Sequence, residues 1–328
     1  MDSLLNFVQD HKLLVSALAF VGFASVTSQL LAFLSVLAQT FILSGTKLSK
    51  FGSKRGAYAV VTGATDGIGR EFAVQLAKAG FGVVLVSRSQ AKLDALAEEI
   101  SSKFNVPTKV HAMDFSEKEL SDKYKALSQK IEGIDVGVLV NNVGRSHEMP
   151  VYFADGPEDE MNSIVNINVY GTLNITRLVL PKMIEKKNGL ILNIGSFAGQ
   201  VPSPMLATYS GSKAFLATWS QALAEEYKKK GIVVQLVNTF FVVSNMSKIR
   251  RASITTPTPK AFVKSALSHI GHSCGAIARP FTVTPYWSHS IADFFIGALN
   301  MPMLFITYSH NLHISIRARA LKKKAKQQ

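Results

Sequence analysis

Between Gly56 and about Pro285 the chain alternates short, continuously apolar runs with longer stretches that are apolar on one side only, and no other feature limits its possible folds so severely. The runs are YAVVTG, GVVLVSR, TKVHAMDF, VGVLVNNVG, GLILNIGS and IVVQLVNTF. Stretches such as REFAVQLAKAG and SQAKLDALAEEISSKF lie between them, with apolar residues at the three- and four-residue spacing of a helix face. A strand apolar at every position has to be covered on both sides, and strands alternating with helices are joined by crossovers that keep them parallel. The pattern predicts an α/β fold with a doubly wound parallel sheet. With no internal repeat or low-complexity linker inside it, residues 47–285 read as one domain.

The stretch before that domain is different in kind. From Leu13 to Thr46 there is no formal charge: LLVSALAFVGFASVTSQLLAFLSVLAQTFILSGT. As one helix it would measure about 50 Å against a hydrocarbon core of about 30 Å, so a single tilted or overhanging span fits. A secretory signal has a shorter apolar core with positive charge before it. Here Asp2, Asp10 and Lys12 precede the run, whereas Lys47, Lys50, Lys54 and Arg55 follow it. By the positive-inside rule residues 1–12 are expected on the lumenal side, 13–46 in the membrane as a single-pass transmembrane anchor, and the domain in the cytosol.

At the other end, IADFFIGALNMPMLFITY (Ile291 to Tyr308) is apolar but interrupted by Asp293, Asn300 and Pro302, with Tyr286 and Trp287 just before it. A charge and a helix breaker argue against a clean span, and the aromatic pair suits an interface. Residues 286–316 are therefore read as an apolar interfacial or re-entrant segment, with an ordinary core helix as the competing reading. The last stretch, 317–328, holds six positive charges in RARALKKKAKQQ and is read as a basic cytosolic tail. Lys324 and Lys326 also match a dilysine pattern for retrieval to the endoplasmic reticulum.

A net charge of +14 and a pI near 9.7 favour anionic partners: nucleotide phosphates, an acidic membrane surface or a CoA-like substrate. No nucleic-acid module interleaving aromatic and basic residues is present, so no nucleic-acid partner is expected. Cys274 is the only cysteine, which excludes an intramolecular disulfide and the cysteine-based zinc sites, and no metal site is expected.

The first turn of the domain reads Thr62-Gly63-Ala64-Thr65-Asp66-Gly67-Ile68-Gly69. Glycines between a strand and a helix let the backbone turn tightly and bring a pyrophosphate to a helix N-terminus, where free N–H groups and the helix dipole favour an anion. The end of the second strand indicates which dinucleotide. An acid there would bind the ribose hydroxyls of NAD, but VSRSQ offers Arg88, which pairs with the 2′-phosphate of NADP. Asp114, closing VHAMD, is placed to accept from the adenine amine, although an Asp at a strand end also caps helices.

Tyr209 and Lys213 in ATYSGSK are one helical turn apart and can meet, yet about one Tyr-x-x-x-Lys match arises by chance in a chain of this composition. The wider constellation changes its weight. Gly63-x-x-x-Gly67-x-Gly69, Asn141-Asn142-Val143-Gly144, Asn168 in NVYG, Ser196 and Tyr209-x-x-x-Lys213 follow one another in an order that resembles the short-chain dehydrogenases/reductases, over about Gly56 to Ser244.

That resemblance implies a Rossmann-like catalytic domain at 47–285, with the N-terminal transmembrane helix and the C-terminal membrane-associated segment appended. It implies Tyr209 as the proton donor and Lys213 as both a ribose ligand and a cation that lowers the tyrosine's pKa. Ser196 would bond the carbonyl oxygen, and Asn168 would hold a relay water. Gly63, Asp66, Gly67, Ile68, Gly69, Arg88, Asp114, Asn142, Val242 and Ser244 join Tyr209 and Lys213 as cofactor contacts. One departure stands out: after the sixth strand the family usually has Pro-Gly, whereas here Thr239 and Phe240 stand, so the nicotinamide loop is expected to differ in shape.

The strings NNVGRSH, GSFAG, LATYSGSKAFL, TPYWSH and IRARALKK are shared more narrowly, with the fungal branch of the family that serves microsomal fatty acid elongation. This closer resemblance implies NADPH as cofactor, a long-chain 3-oxoacyl-CoA as substrate, the endoplasmic reticulum membrane as location and other elongase enzymes as partners. The loop from Met246 to Pro259, with Lys248, Arg250 and Arg251, is a candidate cover for the substrate. Two alternatives stay open: a hydroxysteroid dehydrogenase working with the same residues, and a catalytically silent scaffold for elongation enzymes.

Overall fold

The computed structural model describes residues 6–7 and 9–326, so part of the expected lumenal segment 1–12 and the last two residues of the tail lie outside the described residues. Seven parallel strands make its sheet: β1 (Tyr58–Thr62), β2 (Gly82–Ser87), β3 (Thr108–Ala112), β4 (Val136–Asn141), β5 (Gly189–Ile194), β6 (Ile232–Val237) and β7 (Thr282–Val283). Their spatial order is β3-β2-β1-β4-β5-β6-β7. Six coincide with the apolar runs. The seventh, two residues paired to Leu236 and Val237, is too short to leave a periodic signal.

Helices cover both faces, as the uniformly apolar strands require. Val60 and Val61, neighbours on β1, enter opposite cores. One core meets α2 (Gly67–Lys78), α3 (Gln90–Phe104) and α9 (Pro259–Ser268) through Phe72, Leu76, Leu93 and Phe262. The other meets α4 (Ser121–Lys130), α6 (Gly171–Glu185) and α8 (Ala207–Lys228) through Leu127, Ile175, Val179, Met183 and Leu223. Each such side chain contributes about 1.5–3 kcal/mol by leaving water. The chain leaves β1 in one direction along the sheet and returns to β4 on its other side, which opens a crevice at the strand C-termini between β1 and β4.

Helix α1, a candidate membrane span, runs Lys12–Phe41, shorter than the charge-free stretch. Expected to continue to 46, it ends at 41 because Gly45 and Thr46 turn to bond the backbone carbonyls of Ser268 and Ile270 (both 2.8 Å). A methyl on Gly45 would stand 2.5 Å from the Ile270 nitrogen, so only glycine admits this approach. Residues 12–31 of α1 are nearly all exposed, a run of about 30 Å that equals the hydrocarbon core. Its base belongs to the domain. Val36 is buried, Gln39 Oε1 accepts from the N–H groups of Ser273 and Cys274 (2.9 and 3.0 Å), and Thr40 Oγ1 meets Ser290 Oγ at 2.8 Å.

After β7 come the short connection to α10 (Trp287–Leu299) and then α11 (Pro302–Ala325). Asp293, which interrupts the apolar run, is fully buried: Arg279 and Thr284 donate to Oδ2 and Gln200 donates to Oδ1. The division expected between 316 and 317 has no counterpart in the backbone, since α11 runs through it. Returning over the domain, α11 is held by His313 Nδ1 at the Pro204 carbonyl (2.7 Å) and by Arg317, which donates to the Pro150 carbonyl (2.9 Å). Lys324 lies on this helix, 3.8 Å from Glu148.

Candidate active site

At the crevice the backbone itself is the first feature. Gly63 and Gly67 adopt left-handed conformations, φ +64° and +51°, and a methyl on Gly69 would lie 2.2 Å from the Gly63 carbonyl oxygen. Turn and helix meet with no room for a side chain between them. Thr62 Oγ1 accepts from the N–H groups of Asn142 and Val143 (3.0 and 3.1 Å), while Asn142 Nδ2 donates to the carbonyls of Thr62 and Gly63 (3.0 and 3.3 Å). Asn142 thus fastens the end of β4 to the glycine turn. Asp66 caps α2, with Oδ1 accepting from Gly67 N–H and Oδ2 from the amide of Asn245, both at 2.8 Å. Ile68 packs on the core beneath.

Farther along the strand ends, Arg88 is exposed and makes no hydrogen bond or ion pair among the described residues. Asp114 lies below the usual carboxylate range. Burial pushes it up, but the N–H and hydroxyl of Ser116 and the charges of Arg88 and Arg145 together outweigh that. Both Ser116 bonds land on Oδ1 (2.9 and 2.7 Å), so Oδ2 keeps its accepting capacity.

Helix α8 presents Tyr209 and Lys213 one turn apart, with the lysine Nζ 5.9 Å from the tyrosine ring centroid. Ser196, at the end of the loop after β5, does two things. Its Oγ caps α7 (Phe197–Gln200) by accepting from Ala198 N–H at 3.2 Å, and its hydroxyl stands near enough to the Tyr209 phenol to favour the ionised form. Burial pushes the Tyr209 phenol above its ordinary value, and the Ser196 hydroxyl pulls the other way. The expected lowering of that pKa by Lys213 is corrected here, because Lys213 Nζ donates instead to the Ile194 carbonyl at 2.8 Å. Burial brings the lysine itself down to about 8.

Asn168 lies within a single π-helical turn, Asn166–Tyr170, between α5 (Glu158–Val165) and α6. Its Oδ1 accepts from Arg145 N–H (2.8 Å), and its Nδ2 donates to the Arg145 carbonyl and to Ser212 Oγ (both 2.9 Å). The backbone it satisfies is that of Arg145 in the loop after β4, not that of its own helix. Space remains beside it: a methyl on Gly144 would fall 3.5 Å from Asn168 Oδ1 and 3.7 Å from Lys213 Nζ.

Val242 is buried, and Ser244 faces Gly67 across the mouth of the glycine turn, 3.5 Å from where a methyl on that glycine would stand. The residues in place of Pro-Gly build an aromatic stack. Phe240 lies on Phe197 with centroids 4.3 Å apart, and His289 of α10 lies on Phe240 at 5.1 Å. Loop 246–259 is pinned from the same helix, with His289 Nε2 at the Thr255 carbonyl (3.0 Å) and Ser288 donating to the Ile254 carbonyl (2.7 Å).

Sequence reasoning missed a buried pair beside this site, His147 Nδ1 and Glu160 Oε2 at 2.8 Å, with Glu160 Oε1 also accepting from Glu148 N–H. Partners separated by a loop and joined only by folding leave no local pattern. Among the described residues no cluster of His, Cys, Asp and Glu could hold a metal ion.

With this geometry in view, the comparisons are specific. The profile of the short chain dehydrogenase family matches residues 57–254. A very-long-chain 3-oxoacyl-CoA reductase of Coprinopsis cinerea is 54% identical over 324 residues, 98% of this chain and 95% of its own. One of the same name from Laccaria bicolor is 55% identical over 97% of this chain and 94% of its own. Among solved structures, a 7beta-hydroxysteroid dehydrogenase superposes with a TM-score of 0.68 at 23% identity, over 78% of this chain and 97% of its own. A Sphingobium yanoikuyae short-chain dehydrogenase in complex with NADPH gives 0.61 at 24%, over 75% and 95%. The latter two share the fold. On the profile match and the near-complete relatives, this chain belongs to the short-chain dehydrogenase family.

Proposed function

We propose that this protein is a membrane-anchored reductase that converts a very-long-chain 3-oxoacyl-CoA to the 3-hydroxyacyl-CoA with NADPH in microsomal fatty acid elongation. The substrate class follows the names of relatives that match nearly the whole chain. The residues fit a dinucleotide on the structure's own terms: Gly63 and Gly69 close the turn against α2 with no side chain between them, and Arg88 and Asp114 Oδ2 are left to bind something outside the protein. Bound there, NADPH supplies hydride to the ketone carbon.

Each residue then has a task. Arg88 meets the 2′-phosphate through charge-assisted bonds, which disfavours NADH. Asp114 accepts from the adenine amine, and the N–H groups opening α2 face the pyrophosphate. Val242 and Ser244 close over the nicotinamide, and Lys213 holds its ribose. Tyr209 gives its phenolic proton to the ketone oxygen as charge builds there, and Ser196 donates to the same oxygen, a contribution of about 10²–10³ in rate for a well-placed donor. Lys213, still largely protonated at neutral pH with a pKa of about 8, keeps a positive charge at the ribose it holds. A water in the space between Asn168, Gly144 and Lys213 returns the proton.

The observation that supports the chemistry is Tyr209 and Lys213 one turn apart on α8, the lysine Nζ 5.9 Å from the phenol ring centroid and, with Asn168 Oδ1, beside Gly144. We place the chain in the endoplasmic reticulum membrane, held by α1 with Lys324 and Lys326 as its retrieval signal and with other elongase enzymes as partners. Measuring NADPH consumption by the purified full-length chain with 3-oxostearoyl-CoA and with a ketosteroid tests the reading. Preference for the steroid rejects the substrate, and no turnover with undiminished assembly into an elongase complex supports a scaffold instead.

A further inference from the structure

We infer that the elbow joining α10 to α11, from Phe295 to Tyr308, is a second membrane contact, seated among the headgroups and outer acyl carbons of the cytosolic leaflet beside α1. This rests on α1 being a membrane anchor. The elbow shows Phe295, Leu299, Met301, Met303, Leu304 and Tyr308 to solvent, each at least half exposed. From Phe294 to Ile316 there is no formal charge. So many large apolar side chains in one short stretch mark a surface that water does not normally keep.

Its position singles out lipid as the occupant. Thr40 of α1 meets Ser290 of α10, and Phe33 meets Phe294 and Phe295 with centroids 5.2 and 5.6 Å apart. The two helices therefore run antiparallel, and α10 travels along α1 toward its exposed apolar run. Four further residues carry Leu299 about 6 Å past Phe295, to the level of Leu30 where that run begins. Asp293, the only acid on α10, is turned into the protein against Arg279 and brings no charge to the bilayer.

The elbow's backbone fixes its depth. Asn300 turns left-handed at φ 46° and Pro302 opens α11, which then returns to the domain at His313. The last carbonyls of α10 at this turn have no intrahelical partner, and hydrocarbon offers them none. Headgroups and interfacial water do, so the elbow rests at the interface as an amphipathic element would, about 5–10 Å deep, and does not cross.

Single cysteines placed at Val21, Ser102, Met303 and Leu304 of the full-length chain, labelled with an environment-sensitive fluorophore in phosphatidylcholine/phosphatidylserine vesicles, provide the test. Native Cys274 does not compete, being buried with its thiol pushed up to about 12. Nitroxide lipids labelled at a shallow acyl carbon should quench positions 303 and 304 several-fold more than Ser102 on the outer face of α3, while aqueous iodide reaches only Ser102. Lipid quenching at Val21 without it at 303 and 304 overturns the proposal and leaves the anchor standing. Shielding of 303 and 304 from both quenchers also overturns it, in favour of a protein partner such as a second copy. No lipid quenching at Val21 removes the anchor reading itself, and the elbow proposal with it.

Discussion

Replacing Lys213 with methionine should abolish reduction and yet leave the fold at neutral pH as stable as the parent or more so. The lysine is buried at 5% exposure, and its pKa falls from 10.5 to about 8. That gap corresponds to about 3 kcal/mol of penalty for holding the ammonium inside. Because the folded-state value is the lower one, both states hold the proton below pH 8 and the folded chain carries the whole penalty. Between about 8 and 10.5 the unfolded chain binds the proton that the folded chain has lost, so stability rises with pH. Above that window the lysine costs nothing more.

Methionine is free of this dependence but leaves the Ile194 carbonyl without its donor, at about 1–3 kcal/mol. The net gain at pH 7 is about 0–2 kcal/mol, or about 0–4 °C in melting temperature. Thermal unfolding in detergent micelles, followed by the fluorescence of Trp219 and Trp287 at steps from pH 7 to 10.5, isolates the lysine, because all other titrations are common to both proteins. The difference between them should move by about 3 kcal/mol in favour of the parent as pH rises. A difference that stays flat across the window would refute the reasoning, whatever the activities.

Other substitutions test other parts of the structure. Tyr209→Phe should abolish NADPH-dependent turnover while fluorescence titration shows unchanged cofactor affinity; retained turnover would remove Tyr209 as the proton donor. Arg88→Ser should weaken NADPH binding about 10- to 100-fold with little change for NADH, the value of a charge-assisted contact to the 2′-phosphate. Asp293→Ala strands Arg279 and should destabilise by about 3–5 kcal/mol, whereas the double change Asp293→Leu with Arg279→Met should recover most of that loss. Gly45→Val, which forces a Cβ to within 2.5 Å of the Ile270 nitrogen, should lower the melting temperature without altering membrane insertion.

The sheet and its cofactor turn were legible in the sequence because their signals are local: an uninterrupted apolar run means a strand covered twice, and a glycine spacing means a tight turn wherever it occurs. Asp293 shows where that ends. In sequence it is a charge in an apolar segment, and its partners Gln200, Thr284 and Arg279 converge only through the fold. The end of α1 was misplaced for the same reason, since Gly45 bonds Ser268 more than two hundred residues later. At the site, the order of Asn168, Ser196, Tyr209 and Lys213 was readable, but the direction of the Lys213 ammonium was not. Nor does the replacement of Pro-Gly by Thr239 and Phe240 reveal in sequence that an aromatic stack with His289 takes that place.

Gln39 gives the anchor a consequence for biosynthesis. Residues 12–41 are translated more than two hundred residues before Ser273 and Cys274, whose N–H groups Gln39 caps. The stretch before β7 and helix α10 must therefore close onto a helix base made long before them. A foreign apolar helix spliced on at Gly45 would lack Gln39 and Thr40, and would leave the N–H groups of Ser273 and Cys274 without their acceptor and Ser290 without its partner.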